Sequence, residues 1–153
     1  MRGAAAAAAS DLNGLFPGSI SQSFATTAGV LYEVTFSLSG NPDNTHTPAI
    51  KTLRVSLTGA SSASHDFTFD TTNPVNSSGN MGWLTKSFTF LGGAGLTTIT
   101  FLSLTTDPVS LPAFGPALDE VSVNAVPVPA AVWLLGSALL GVGLIARKRR
   151  ASV

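Results

Sequence analysis

The stretch VLYEVTFSL, residues 30–38, has an apolar side chain at every second position. Val30, Tyr32, Val34, Phe36 and Leu38 fall on one side of an extended chain, and mainly polar residues fall on the other. Successive side chains of a β-strand point to opposite faces of its sheet, so this period of two predicts a strand with one buried face. The stretch therefore indicates a β-protein.

The same alternation recurs along the chain. Further strands are predicted at LRVSL (53–57), HDFTFD (65–70), LTKSFTFL (84–91), LTTITFLSL (96–104) and LDEVSV (118–123). A weaker candidate is SISQSFA (19–25). Ile50 lies on the opposite parity from Leu53, which predicts a bulge or bend near Lys51 and Thr52. The connecting segments are rich in Gly, Pro, Asn and Asp. About seven strands without a helical period predict an antiparallel β-sandwich or jelly roll.

The end of the chain has a different character. Residues 130–146 carry no charged side chain, and Pro127 and Pro129 precede them. At about 1.5 Å per residue, a helix of this length reaches roughly 25 Å, close to the thickness of a bilayer's hydrocarbon core. Four cations follow it: Arg147, Lys148, Arg149 and Arg150. The positive-inside rule keeps such a cluster in the cytoplasm, so we predict one transmembrane helix with the body outside.

The formal net charge of zero conceals an uneven distribution. All eight acidic residues precede Ala125, whereas four of the eight Lys and Arg residues follow it. The body is therefore acidic and repels phosphates, which argues against nucleic acid as a partner. The absence of cysteine excludes disulfides and thiolate metal sites.

The tail resembles the PEP-CTERM class of sorting signals, in its V-P-x-P-A variety. The resemblance rests on the ordered combination of VPVPA, the apolar helix and RKRR. Its sorting motif comprises Val126, Pro127, Val128, Pro129 and Ala130. Val128 stands where the eponymous motif has Glu, which leaves the subtype of the processing enzyme open. The resemblance implies export in a Gram-negative bacterium and transient anchoring in the inner membrane. It also implies processing by an exosortase, which is a membrane cysteine peptidase, and a final location on the cell surface or in the extracellular matrix.

The body resembles the choice-of-anchor C family of bacterial exported proteins. The ordered phrases are DLNG, PGSISQSFATTAGVLYEVTFSLSGNP, FTFDTT, NMGWLTKSFTF and GPALDEVSV, within residues 11–123. The resemblance implies a galactose-binding-like jelly roll. It also implies opening strands before DLNG that are missing here, so we expect a truncated start and an incomplete sandwich with exposed edges.

These patterns divide the chain into three parts: an Ala-rich low-complexity start at 1–10, a sandwich at 11–124, and a sorting tail at 125–153. The start, MRGAAAAAAS, lacks the strongly apolar core of a signal peptide. We therefore expect that the true start lies upstream, or alternatively that the C-terminal helix itself directs insertion.

The chain offers few groups for catalysis. His46 and His65 do not form a known metal-binding motif such as H-x-x-x-H, and both are predicted to be solvated. A glycosidase needs two carboxylates about 5 to 10 Å apart, for which Asp66 with Asp70, or Asp119 with Glu120, are weak candidates. We therefore predict a non-enzymatic protein with a carbohydrate-binding-like module, and the alternative is a carbohydrate-active enzyme on the same scaffold.

Trp83 and Tyr32 are the large amphipathic aromatic residues available to stack on a sugar ring, which makes a polysaccharide the predicted ligand. Trp83 lies on the parity opposite Phe88 and Phe90, which favours an outward ring. Packing of Trp83 against the edge of the core stays open as the alternative.

Asp119 shares the parity of Val121 and Val123, which are predicted to face inward. A buried carboxylate must be paired or bound to a metal. We therefore expect Asp119 to accept hydrogen bonds from loop backbone or, alternatively, to ligate a structural Ca²⁺. No other cofactor is predicted.

Overall fold

The computed structural model describes residues 10–14, 16–42, 48–72, 76–77, 79–106 and 114–127. These residues form β1 (Ser10–Asp11), β2 (Ser19–Thr26), β3 (Leu31–Gly40), β4 (Ile50–Gly59), β5 (Ala63–Asp70), β6 (Leu84–Leu91), β7 (Gly95–Ser103) and β8 (Pro116–Ala125). All seven predicted strands are present, and the short β1 adds an eighth. The predicted helix at 130–146, the basic end and most of the Ala-rich start lie outside the described residues.

The strands build two four-stranded sheets. The first sheet has the order β1-β8-β3-β6, and the second has the order β2-β7-β4-β5. Every pairing between these strands is antiparallel. The two sheets pack face to face, which confirms the predicted antiparallel β-sandwich.

The core lies between the sheets and is filled by alternate residues of each strand. Its most deeply buried apolar side chains on β3 and β4 are Val34, Phe36, Leu38, Leu53, Val55 and Leu57. The ring of Phe36 packs edge to face on two rings of the second sheet, 5.1 Å from Phe67 and 5.5 Å from Phe101 between centroids. The period of two in residues 30–38 therefore places its bulkiest buried ring at the contact between the sheets.

The bulge expected near Lys51 and Thr52 is absent. Strand β4 pairs with β5 in unbroken register from Ile50 opposite Asp70 onward. Lys51, which is 1% exposed, takes the inward position, and Ile50 is 44% exposed. The prediction was wrong because a lysine can occupy a core position when its methylene groups pack there. The stem of Lys51 packs closely on Gly40: a Cβ atom added to that glycine would lie only 2.9 Å from Lys51 Cγ.

A bulge does occur in β8. The register of β8 against β3 shifts between Thr35 and Ser37. Glu120 lies at the shift with a φ of 51°, a left-handed conformation that residues other than glycine adopt rarely. Leu118 before the shift and Val123 after it both pack against the core, although they are an odd number of residues apart. The bulge thus inverts the parity along β8.

Phe36→Ala should lower the free energy of unfolding by about 3–5 kcal/mol, because it removes the ring that joins the two sheets and leaves a cavity. Leu96→Ala is the matched control, since Leu96 is 65% exposed on β7 and should change stability by less than about 0.5 kcal/mol. Denaturant unfolding followed by tryptophan fluorescence measures both. Similar effects of the two substitutions would contradict this view of the core.

Candidate functional site

Two edge strands from different sheets, β5 and β6, lie against each other along one side of the sandwich. Among the described strands, β5 pairs only with β4 and β6 only with β3, so each has a free backbone edge. We call this side the β5–β6 seam and define it by His65 and Phe67 of β5 and Lys86 and Phe88 of β6. All four lie on the core-facing side of their strands, at the border where the facing sheet ends.

Aromatic rings line the β5–β6 seam. The ring of His65 lies 4.5 Å from that of Phe88, and the ring of Phe67 lies 6.0 Å from that of Phe88, between centroids. Phe67 also contacts Phe36, which connects this row to the core. His65 is exposed, and Phe67 and Phe88 are half-buried. The row therefore presents part of its ring surface to solvent while its inner end is fixed by the core.

The alternation of the two strands explains why these rings meet. On β6, Lys86 and Phe88 pair with Phe36 and Val34, two core residues of β3. Because the sheets end at this border, the same parity that buries side chains in central strands leaves them partly open here. The result is an apolar ring surface with the imidazole of His65 and the half-buried residue Lys86 on the same side of the strands. Ring faces next to hydrogen-bond donors are the usual composition of a small-ligand or sugar site.

An ion pair lies on the outer face of β4 and β5. Its acidic partner, Asp66, lies between the seam residues His65 and Phe67 in the sequence. Arg54 Nε donates to Asp66 Oδ1, and Arg54 Nη2 donates to Asp66 Oδ2, each at 2.7 Å. These hydrogen bonds, together with the opposite charge, lower the pKa of Asp66 and raise the pKa of Arg54. Asp66 is therefore held as an ionised acceptor, the opposite of what a general acid requires.

The first predicted carboxylate pair is widely spaced. Asp70 lies four residues beyond Asp66 on β5, which corresponds to about 13 Å along an extended strand. Oδ1 of Asp70 accepts hydrogen bonds from the backbone N–H and the hydroxyl of Thr72. This spacing exceeds the roughly 5 to 10 Å of a glycosidase pair.

Asp119 does not share the face of Val121 and Val123, because the β8 bulge lies between them. The predicted burial of its carboxylate is wrong: Asp119 is only half-buried, and its Oδ1 accepts a hydrogen bond from the backbone N–H of Glu120 at 2.7 Å. Glu120 Oε2 accepts from Ser37 Oγ at 2.9 Å. Within the described ranges, no three His, Cys, Asp or Glu side chains come together as a metal site.

Trp83 and Tyr32 lie toward opposite ends of the first sheet. Trp83 directly precedes β6, whereas Tyr32 pairs with Phe90 near the end of that strand, roughly 20 Å further along. The ring of Tyr32 stacks on Phe90 with 5.4 Å between centroids, and its hydroxyl accepts from Thr27 N–H at 3.1 Å. Trp83 is half-buried. The structure thus does not bring the two predicted stacking residues into one site.

The sequence contained a signal for the β5–β6 seam that was interpreted differently. His65 was predicted to be a solvated side chain, and it is exposed, but its ring also contacts Phe88. It shares the parity of Phe67, so it belongs to the core-facing side of β5. What the strand pattern alone lacks is the information that β5 and β6 are edge strands.

Only the beginning of the predicted sorting motif lies within the described residues. Val126 follows β8, and its backbone N–H donates to the carbonyl of Leu31 at 2.8 Å, while Pro127 is the last residue described. Outside the described residues lie Val128, Pro129, Ala130, Arg147, Lys148, Arg149, Arg150 and His46. In the part of the chain that is described, no helix has the length and apolar character needed to cross a bilayer.

Comparisons with solved structures give matches of low sequence identity. A structure described as "CBM4 structure and function" is 14% identical with a TM-score of 0.45, over 71% of this chain and 61% of that one. A family GH115 4-O-methyl-α-glucuronidase with specificity for decorated arabinogalactans is 16% identical with a TM-score of 0.54, over 83% of this chain and 16% of that one. A family 35 carbohydrate binding module from Clostridium thermocellum is 18% identical with a TM-score of 0.47, over 72% of each chain. No curated protein sequence matches.

The glucuronidase match shows that the fold is shared with one part of a much larger chain. The sheet topology and this match define the class of the protein as an all-β antiparallel sandwich module. A family model described as "Protein of unknown function (DUF642)" matches residues 3–124. Because this match covers most of the chain, the protein belongs to the DUF642 family.

Arg54→Gln should raise the pKa of Asp66, because it removes the two hydrogen bonds and the positive charge that favour the ionised carboxylate. The lowered pKa contributes stability above the unfolded value of about 3.9, and this contribution is lost as the pH falls through the folded value. NMR titration of the Asp66 carboxyl carbon measures the change. Lys86→Gln is the control, since it removes a cation outside the pair. A pKa of Asp66 that does not respond to Arg54→Gln would contradict the assignment.

Proposed function

We propose that this chain is a non-enzymatic, carbohydrate-binding-like module that is exported to the cell surface or extracellular matrix of a Gram-negative bacterium. Its ligand is a polysaccharide. The observation that carries this proposal is the row of partly open rings along the β5–β6 seam, formed by His65, Phe67 and Phe88.

The chemistry of the seam suits a sugar chain. One face of a sugar ring presents C–H groups that pack on an aromatic ring, and its rim presents hydroxyls that need hydrogen-bond partners. The exposed ring of His65 stands next to the half-buried ring of Phe88, with Lys86 on the same side of β6. Among the described strands, neither β5 nor β6 has a second neighbour, so their outer edges run along both sides of the row and offer backbone N–H and C=O groups. An elongated strip of this kind matches an extended polymer better than a compact monosaccharide.

The charged groups support binding without catalysis rather than a carbohydrate-active enzyme. Asp66 is held by Nε and Nη2 of Arg54. About 13 Å of extended strand separates it from Asp70. Glu120 and Asp119 are engaged by Ser37 and by backbone, respectively. None of these carboxylates lies on the core-facing side of β5 or β6, where the rings are.

The proposed route to the cell surface rests on the tail. The motif at 126–130, the apolar run at 130–146 and the cations at 147–150 resemble a sorting signal that an exosortase processes. The motif begins directly after β8, and Val126 is still hydrogen-bonded to Leu31. The module would thus be held close to the membrane before processing. The inner membrane and the exosortase are its proposed partners during sorting.

His65→Ala should weaken binding to a polysaccharide about five- to tenfold, because one aromatic–sugar stacking contact is lost from an exposed position. The probes are xylan, arabinogalactan, galactomannan and bacterial cellulose, tested by affinity electrophoresis and pull-down. Leu96→Ala removes another exposed side chain, from the outer face of β7, and should leave binding unchanged. Absence of binding to all four probes, or binding that tolerates His65→Ala, would overturn the proposed ligand site.

The sorting proposal has its own test. Expression in a Gram-negative host that carries an exosortase, followed by fractionation and mass spectrometry of the mature C-terminus, should yield a surface product that lacks Arg147 to Arg150. A chain without residues 126–153 should not enter the membrane fraction. Pro127→Ala combined with Pro129→Ala should keep membrane insertion and reduce processing. Intact cations in the final surface product would indicate a permanent anchor instead.

A further inference from the structure

Strand β2 forms an edge of the second sheet, at the end opposite β5. Its eight residues, SISQSFAT, include no charged residue, no proline and no glycine. It pairs with β7 in unbroken register, from Ser19 opposite Leu102 to Thr26 opposite Gly95. Among the described strands it has no second neighbour. The edge that β2 presents is therefore regular and uncharged.

The other edges of the two described sheets carry charged residues, which discourage pairing with another chain. Strand β1 contains Asp11, β5 contains Asp66, and β6 contains Lys86. The part of β8 that extends beyond β1 begins with Asp119 and Glu120 and contains the bulge. Strand β2 has neither a charge nor a bulge, so its edge is the one suited to a further strand pair.

The hydrogen bonds around β2 show which of its backbone groups reach the free edge. In an antiparallel pair, alternate residues direct both their N–H and their C=O to the same neighbour. The C=O of Gly18 accepts from Ser103 after β7. The C=O of Leu96, which lies opposite Ala25, accepts instead from Ala60 on the far side of β7. The even-numbered residues of β2 thus bond to β7, and the odd-numbered ones direct their N–H and C=O groups outward: Ser19, Ser21, Ser23 and Ala25.

The core-facing side of β2 is only partly covered. Ile20, Gln22 and Phe24 lie on this side, since they pair with buried residues of β7. Phe24 packs against the core, and its ring contacts Phe90 edge to face. Ile20 is 41% exposed and lines an open apolar groove together with Gln22 and Val121. An apolar side chain therefore lies open to solvent next to the free edge.

We propose that β2 pairs antiparallel with β2 of a second copy of this chain, which joins the two second sheets into one sheet of eight strands. The odd-numbered residues point outward in both copies, so an odd residue must lie opposite an odd one. Two registers then pair most of the strand. One places Ile20 opposite Phe24 of the second copy, and the other places it opposite Thr26. The first register is preferred because it brings the exposed aliphatic side chain onto an aromatic ring.

In this register residues 19–25 of the two copies pair with each other. Ile20 of each copy lies opposite Phe24 of the other in a non-hydrogen-bonded pair, where side chains approach closely. Gln22 lies on the twofold axis opposite the same residue of the second copy, and their amides can exchange hydrogen bonds. On the outer face, Ser21 lies opposite Ser23. Such an isologous contact closes at two copies, because each β2 edge is then occupied.

Disulfide formation tests the register in the full chain, solubilised in a mild detergent. The chain contains no cysteine, so one introduced cysteine reports only on contacts between copies. Gln22→Cys should yield a disulfide-linked dimer on mild oxidation, because opposite Cα atoms of a non-hydrogen-bonded pair lie about 4.5 Å apart. Ser21→Cys is the matched control. Two copies of this residue would lie diagonally, roughly 7–8 Å apart, and should yield at least about tenfold less dimer.

Equal yields of dimer at positions 21 and 22 would overturn the proposal. A contact elsewhere in the chain, such as one through the apolar run at 130–146, would then bring the copies together without a register between the β2 strands. Absence of a dimer at both positions would overturn it as well.

Charge substitution on the twofold axis gives a second test that does not depend on oxidation. Gln22→Lys and Gln22→Glu should each weaken self-association roughly fivefold in sedimentation velocity, because like charges face each other. A tagged Gln22→Lys chain should retain an untagged Gln22→Glu chain better than an untagged Gln22→Lys chain. Ser64→Lys, at an exposed position of β5 on the other edge of the same sheet, is the control and should leave self-association unchanged. A monomeric unaltered chain, or opposite charges that fail to restore pairing, would overturn the proposal.

Discussion

The sandwich depends on contacts between alternate side chains of the two sheets, and Phe36 forms the central aromatic contact. It belongs to β3 of the first sheet, and its ring packs on Phe67 of β5 and Phe101 of β7 in the second sheet. One ring therefore joins an edge strand and a central strand of the opposite layer. A slip of β3 by one residue would turn Phe36 outward and lose both contacts, so this packing also fixes the register of β3 against β6 and β8.

The same alternation produces the two open sides of the molecule. A strand at the border of a sheet keeps its core-facing side chains even where the opposite sheet no longer covers them. At the β5–β6 seam those side chains are rings that pack on each other, so the border is partly filled and still presents ring surface. At the opposite border, between β2 and β8, they include Ile20 and Val121, and Ile20 is left 41% exposed. The first border therefore presents ring surface, whereas the second presents aliphatic side chains.

The strands were predictable from the sequence because each is a local pattern, and LTKSFTFL corresponds to β6 residue for residue. The two predictions that failed had different causes: a bulge was predicted where β4 is regular, and an unbroken parity was assumed where β8 has a bulge. Lys51 fills a core position that a hydropathy pattern does not assign to a lysine, and Glu120 inverts the parity that would have buried Asp119. The β5–β6 seam was missed for a different reason: His65 and Phe88 become neighbours only through the order of strands in two sheets, which no local pattern contains.

Strand β8 links the core to the proposed tail. It packs Leu118 into the core, pairs with β3 along its length, and ends where the predicted sorting motif begins. The hydrogen bond from Val126 to Leu31 continues the β3–β8 ladder by one residue beyond the strand. Removal of the tail beyond this point would leave all of β8 paired with β3, so the module would keep its sheet after processing. A cut within β8 would instead remove ladder hydrogen bonds and the partly buried Val121 and Val123 from the core. The predicted motif thus lies just outside the sheet, where a cut would leave the ladder between β3 and β8 intact.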